Sequence, residues 1–69
     1  MNDLDTLKAC IALMSAELGG HRGSRKESKE LLALCFGIKV NQLDRFLCGQ
    51  PIPVNTGRYL YVIKSQLEG

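Results

Sequence analysis

Apolar residues near the start of the chain recur at intervals of three and four positions. They are Leu4, Leu7, Ile11, Met14 and Leu18. This spacing places them on one stripe of a helix, with Asp3 and Asp5 near its N-terminal end and glycines at its C-terminal end. The pattern predicts an amphipathic helix within residues 1–20. Its stripe can pack on its own domain or on the same helix of a second copy, and we expect it to form a dimer interface.

Residues 21–27 contain glycine and basic side chains and offer no apolar face. We expect a loop here, long enough for the first helix to stand apart and exchange between subunits. Its basic side chains are Arg22, Arg25 and Lys26. These cations are either solvated or lie along the phosphates of a nucleic acid.

A second apolar cluster follows Ser28, which suits the N-cap of a helix. The residues expected to face inward are Leu31, Leu32, Cys35 and Phe36. Gly37 comes next, where a helix commonly ends in a left-handed residue. A third helix then begins at Lys39 or Val40, and its apolar residues are Leu43, Phe46 and Leu47. The two short helices must therefore pack at a steep angle.

After a predicted loop with two prolines at residues 50–57, the sequence predicts a closing helix over residues 56–67, capped by Asn55 or Thr56. Its apolar residues are Leu60, Val62, Ile63 and Leu67. The β-branched and tyrosine content keeps a strand open as the alternative. We expect an all-α, compact bundle of about four helices in one domain over residues 1–69, with a helix-turn-helix core and closing helix in residues 28–69.

The length and composition favour a folded protein that gains stability from a second copy. A chain of 69 residues forms a core that supplies only a few kcal/mol. The hydrophobic share of 45% and the charged share of 23% are those of a folded domain and not of a disordered tail. A homodimer is therefore expected.

The charge is small overall but unevenly distributed. The net charge is +2, yet residues 21–58 hold seven basic and three acidic residues. This local excess permits attraction to a polyanion. The start of the chain is acidic, unlike a signal peptide, and no apolar run approaches the roughly 18 residues that span a bilayer. We expect a cytoplasmic protein.

The residue types that carry catalysis or hold metal are sparse. The three cysteines have no close pair, which argues against a disulfide framework and against zinc, and we interpret them as buried free thiols. The single histidine, His21, lies in the glycine-rich loop, and the carboxylates are scattered. We expect no catalytic site, no metal and no cofactor.

The spacing around Gly37 resembles the helix-turn-helix of lambda repressor and Cro-like proteins over residues 28–49. A small residue, Ala33, stands four positions before the glycine, and apolar residues stand one, six and nine positions after it. Alanine allows the second helix to cross close to the first, and the glycine makes the turn. In size and architecture the chain also resembles small early proteins of Mu-like and lambda-like phages.

In that family the second helix of the motif enters the major groove of DNA. Carried onto this chain, the resemblance implies a DNA-binding set made of Lys29, Lys39, Val40, Asn41, Gln42, Asp44 and Arg45. Arginine would read guanine, asparagine or glutamine would pair with adenine, and valine would touch a thymine methyl group. The implied phosphate contacts are Arg22, Arg25, Lys26 and Arg58. A homodimer would present two such helices to an operator and regulate transcription.

A protein partner is the alternative to DNA. The net charge is small for a DNA-binding module, Asp44 brings a negative charge to the presumed recognition face, and Leu47 is expected to be exposed. These features suit a phage anti-activator that docks on a host regulatory protein and blocks it. The two hypotheses share the same fold and differ in the partner of the third helix.

Overall fold

The computed structural model describes residues 2–69, which contain four helices and no strand. The helices are α1 (Asp3–Glu17), α2 (Ser24–Phe36), α3 (Val40–Leu47) and α4 (Val54–Glu68). The predicted all-α class is confirmed, and the closing segment is a helix, not a strand. Among these residues no helix combines the length and the apolar character that crossing a membrane requires.

Helix α1 is the centre of the bundle, because α2, α3 and α4 all pack against it. Asn2 caps its N-terminus by accepting a hydrogen bond from the backbone of Asp5 at 2.8 Å. The side chains of Leu7, Cys10 and Ile11 are completely buried. They form one core with residues of all three other helices, namely Leu32, Leu43, Phe46 and Leu60.

The apolar stripe of α1 therefore packs on its own domain. Leu7 and Ile11 have no exposed surface, so the prediction that they form a dimer interface is wrong. Leu4, Met14 and Leu18 are partly buried, and Met14 packs against the same core. The physical reason is the small size of the chain, which needs this stripe to close its own interior.

Helix α2 begins at Ser24, one turn earlier than predicted. Ser28 is a buried residue inside the helix and not its N-cap, and its hydroxyl donates to the carbonyl of Ser24 at 2.7 Å. The Ser24 hydroxyl in turn donates to the His21 carbonyl at 2.7 Å and lies 2.6 Å from the Ser15 hydroxyl of α1. Short hydroxyl side chains thus fill the contact between α1 and α2, with their hydrogen bonds satisfied locally.

Because of this earlier start, the predicted loop over residues 21–27 is shorter, and Arg25 and Lys26 lie on the first turn of α2. The buried side of the helix is also rotated from the predicted one. Leu32 and Ala33 are buried, whereas Leu31 is 42% exposed and Cys35 is exposed. The inward orientation predicted for Leu31 and Cys35 is wrong.

The cysteines differ in their environments. Cys10 is buried, and its thiol donates to the carbonyl of Leu60 at 3.3 Å. Burial raises the pKa of the Cys10 thiol, so this side chain stays protonated and neutral in the core at neutral pH. Cys35 and Cys48 are exposed, which corrects the expectation that all three thiols are buried.

Gly37 ends α2 and turns the chain toward α3. Its backbone is left-handed, with φ 67° and ψ 30°. The amide of Gly37 donates to the Leu34 carbonyl at 3.2 Å, and the amide of Ile38 donates to the Ala33 carbonyl at 3.0 Å. This pair of bonds is a Schellman motif. The turn is complete at Lys39, and α3 begins at Val40 as predicted.

Helix α4 lies along α1 with a close approach at Gly57. A Cβ atom at this position would lie 2.6 Å from a carboxylate oxygen of Asp3. The helix begins at Val54, after Pro53 at the N-cap, so the predicted caps at residues 55 and 56 are wrong. Leu60 is buried, whereas Val62 is 51% exposed and does not belong to the core.

Substitution of Gly37 by alanine tests the turn. We expect Gly37→Ala to destabilise the protein by about 1–2 kcal/mol, because an L-residue pays this strain in the left-handed region, while no atom lies within 4 Å of the added methyl group. Urea unfolding followed by circular dichroism measures the change. Gly23→Ala is the matched control, because Gly23 has φ −88° and suits alanine. Equal stability of the two variants would contradict the assignment of strain to Gly37.

Candidate functional site

Helix α3 buries one side and presents the other to solvent. Leu43 and Phe46 are buried in the core, and they hold the helix against the bundle. On the opposite side Asn41, Gln42 and Arg45 are exposed. Lys39, at the N-cap, is exposed as well. Four polar residues of the predicted DNA-binding set therefore share this surface.

These polar side chains surround one open cleft. The cleft has a volume of 380 Å³ and is lined by Ile38, Lys39, Asn41, Gln42 and Arg45. Two cations and two carboxamides thus line the cleft, from Lys39 at the N-cap of α3 to Arg45 in its last turn, and no carboxylate lines it. The first turn of the helix also contains no acidic residue, so the positive end of its dipole is not neutralised there. The surface is chemically suited to an anionic or polar partner.

Two members of the predicted set lie at the edge of this surface. Val40 is partly buried, and Asp44 is partly buried as well. The predicted exposure of Leu47 is wrong, because this side chain is partly buried and packs against the core. The freely exposed recognition surface is therefore narrower and more polar than the sequence predicted.

Asp44 is paired with a cation from the preceding helix. The Nζ atom of Lys29 lies 3.2 Å from Oδ1 of Asp44, with 29% and 48% of the two side chains exposed. The pair joins α2 to α3 and places a compensating positive charge beside the Asp44 carboxylate. It also holds Lys29 at the side of α3, where this residue is engaged in an ion pair before any ligand arrives.

The predicted phosphate contacts fall into two groups. Arg25 and Lys26 lie four and three residues before Lys29 on α2, so their side chains are its neighbours on the helix surface. These two cations are therefore one helical turn from a residue that contacts α3. Arg22 is exposed in the loop just before α2. Arg58 lies on the exposed side of α4, which packs mainly on α1, and nothing brings it beside α3.

A second exposed surface, which the sequence analysis missed, lies on the outer side of α2. A shallow cleft of 340 Å³ is lined by Glu27, Glu30, Leu31 and Leu34, and Leu34 is 78% exposed. The four positions follow the helical spacing of three and four residues, a signal that was present in the sequence. It was hidden because leucines in an amphipathic helix are expected to face the core.

Comparisons of the chain with protein-family models, with curated proteins and with solved structures found no match. The fold is an all-α bundle, and its short helix α3 exposes a side that carries cations and amide groups.

The ion pair between α2 and α3 is testable by a double-mutant cycle of Lys29→Ala and Asp44→Ala. We expect a coupling free energy of about 0.2–1 kcal/mol that falls as salt is added, because both side chains are partly exposed. Urea unfolding of the two single variants and the double variant measures it. Lys26→Ala combined with Asp44→Ala is the control and should show no coupling. A coupling that is equal in both cycles would contradict a specific pair.

Proposed function

We propose that this chain binds DNA through α3 and regulates transcription as a homodimer. The observation that carries the proposal is the cleft on α3, where Lys39, Asn41, Gln42 and Arg45 converge while Leu43 and Phe46 anchor the opposite side. An α-helix presented in this way fits the width of the major groove. Residues near its N-terminus are the ones that reach base edges in helix-turn-helix proteins.

The side chains on α3 match the donor and acceptor pattern of base edges. The guanidinium of Arg45 can donate two hydrogen bonds to guanine, and the carboxamides of Asn41 and Gln42 can each pair with adenine. Val40, at the edge of the surface, would contact a thymine methyl group. The pairing of Asp44 with Lys29 at 3.2 Å supports the proposal, because it removes an uncompensated negative charge from the approach of DNA.

Contacts with phosphates would come from the cations that border α3. Arg25 and Lys26 on α2 and Arg22 before it are exposed, and Lys39 stands at the N-cap of α3. Each neutralised phosphate contributes about −0.9 to the slope of the logarithm of affinity against the logarithm of salt concentration. We leave Arg58 out of this set because of its position on α4.

The resemblance of residues 28–49 to the helix-turn-helix of lambda repressor and Cro-like proteins supports the same function. The motif needs a small residue where the two helices cross and a glycine that makes the turn. Ala33 is buried and Gly37 is left-handed, as the resemblance implies. We propose accordingly a small cytoplasmic regulator of the kind encoded by phages or mobile elements.

Selection of a binding site from random duplex DNA, followed by fluorescence anisotropy, tests the proposal. We expect Arg45→Ala and Asn41→Ala each to weaken binding to the selected site by roughly 5- to 150-fold, which corresponds to about 1–3 kcal/mol per bidentate contact. Asp44→Asn should strengthen binding to all sequences, since it releases Lys29. Lys8→Ala, which removes an exposed cation on α1 outside the proposed contacts, is the control and should bind normally. Absence of salt-sensitive binding to any DNA would contradict the proposal.

A protein antagonist is the second candidate, favoured by the outer side of α2. Leu31 and Leu34 are exposed there and line one cleft with Glu27 and Glu30, and a surface of this kind suits a protein better than a polyanion. Under this hypothesis the chain would block a host regulatory protein.

Pull-down of partners from a cell lysate, with and without nuclease, separates the two candidates. If a protein is the partner, its capture survives nuclease and is lost in Leu34→Ser, but persists in Arg45→Ala. If DNA is the partner, nuclease removes all captured proteins. Capture is then lost in Arg45→Ala and persists in Leu34→Ser.

A further inference from the structure

The outer side of α4 carries a stripe of five exposed residues, three of which are apolar. Its positions follow the spacing of four, three, one and three residues along one face, and they are Val54, Arg58, Tyr61, Val62 and Ser65. All five residues are exposed. The opposite side of the helix holds Gly57 and Leu60, which are buried against the bundle. The stripe therefore points away from the core.

We propose that a second copy of this chain binds to this stripe, so that two α4 helices pack antiparallel about a twofold axis. This inference deepens the proposed function, because it supplies the interface for the homodimer that the stripe of α1 cannot form. It assigns the dimer contact to Val54, Arg58, Tyr61 and Val62.

The apolar area that α4 exposes supports a second copy of the chain as the partner. Val54 is 68% exposed, Tyr61 is 66% exposed and Val62 is 51% exposed. Tyr59, at the rim, is 52% exposed, and its ring packs edge-on against Phe36 at 5.5 Å. Together these four side chains expose roughly 500 Å², against about 800 Å² per partner in a standard interface. The largest apolar patch on a typical monomer is about 300–600 Å² and is often functional, so a patch of this area is a candidate contact surface.

The charge on the stripe favours another copy over nucleic acid. Arg58 is its only charged residue, so the stripe offers little to a polyanion. When two α4 helices run antiparallel with residue 58 of one opposite residue 61 of the other, each guanidinium lies over the partner's tyrosine ring, a cation–π contact. The two arginines are then separated, and the symmetric contact closes at two copies and does not propagate.

The position of α4 in the fold leaves the candidate recognition surface free. Helix α4 packs chiefly on α1, whereas the cleft on α3 is bordered by α2. Pairing through the outer side of α4 therefore covers none of the residues that line that cleft, and each subunit of the dimer keeps one α3 surface exposed.

Sedimentation equilibrium of the full chain over a wide range of concentrations tests the interface. We expect a mass of twice 7.6 kDa for the wild type at high concentration. Val54→Glu and Val62→Glu should each raise the dissociation constant of the dimer at least tenfold, because transfer of a carboxylate from water into an apolar contact is unfavourable. Leu34→Glu, which adds the same charge to the exposed side of α2, is the matched control and should leave the dimer intact.

Circular dichroism of each variant checks that the helices remain folded, and the milder Val62→Ser replaces any variant that unfolds. Arg58→Ala should weaken the dimer less than the glutamate variants do, since it removes only the contact with the ring. A monomeric wild type at every concentration would overturn the proposal, and so would dimers that dissociate in Leu34→Glu but not in the α4 variants.

The test also separates this interface from DNA binding. Arg45→Ala should stay dimeric while it loses sequence-specific binding, and Val62→Glu should be monomeric while it still binds a single half-site weakly. If the chain binds DNA but the α4 variants do not affect its dimer, only the proposed interface is contradicted. If the chain dimerises through α4 but binds no DNA, the interface stands and the proposed function is contradicted.

Discussion

The single stripe of α1 is the constraint on which the rest of the structure depends. Leu7, Cys10 and Ile11 are completely buried, and each of the other helices reaches the core through only one or two fully buried large side chains. A chain of this size has no second core to draw on. The stripe is therefore committed to the interior, and a partner must bind exposed surface outside it.

Compactness around α1 depends on small residues at the helix contacts and on glycine at the helix ends. Ser24 and Ser28 fill the contact with α1 using hydroxyl groups that bond within the chain, and Gly57 admits α4 beside Asp3. Gly37 and Gly49 have positive φ and end α2 and α3 with the same bonding pattern. Because both ends of α3 are fixed, its polar side has one orientation relative to the bundle.

The sequence predicts α3 and its turn well, because the signals there are local. A glycine and the apolar spacing of Leu43 and Phe46 are sufficient to place the helix and its exposed side. The start and face of α2 were missed because hydropathy cannot show that Ser24 and Ser28 are buried. The helical stripe of α1 was predicted correctly, but its partner was not, since the same pattern serves a domain core and a dimer. The pairing of Asp44 with Lys29 depends on tertiary contact alone.

Under the proposed function, a dimer through α4 would offset the weak basicity of the single chain. Each subunit has a net charge of only +2, and the positive charge of Lys29 is already paired with Asp44. Two linked subunits double the number of phosphate contacts, and the second subunit binds at a high effective concentration once the first is in place. Affinity then depends on protein concentration through the dimer equilibrium. If the chain binds DNA as this dimer, the stripe of α4 and the polar side of α3 are thermodynamically coupled through the dimer equilibrium.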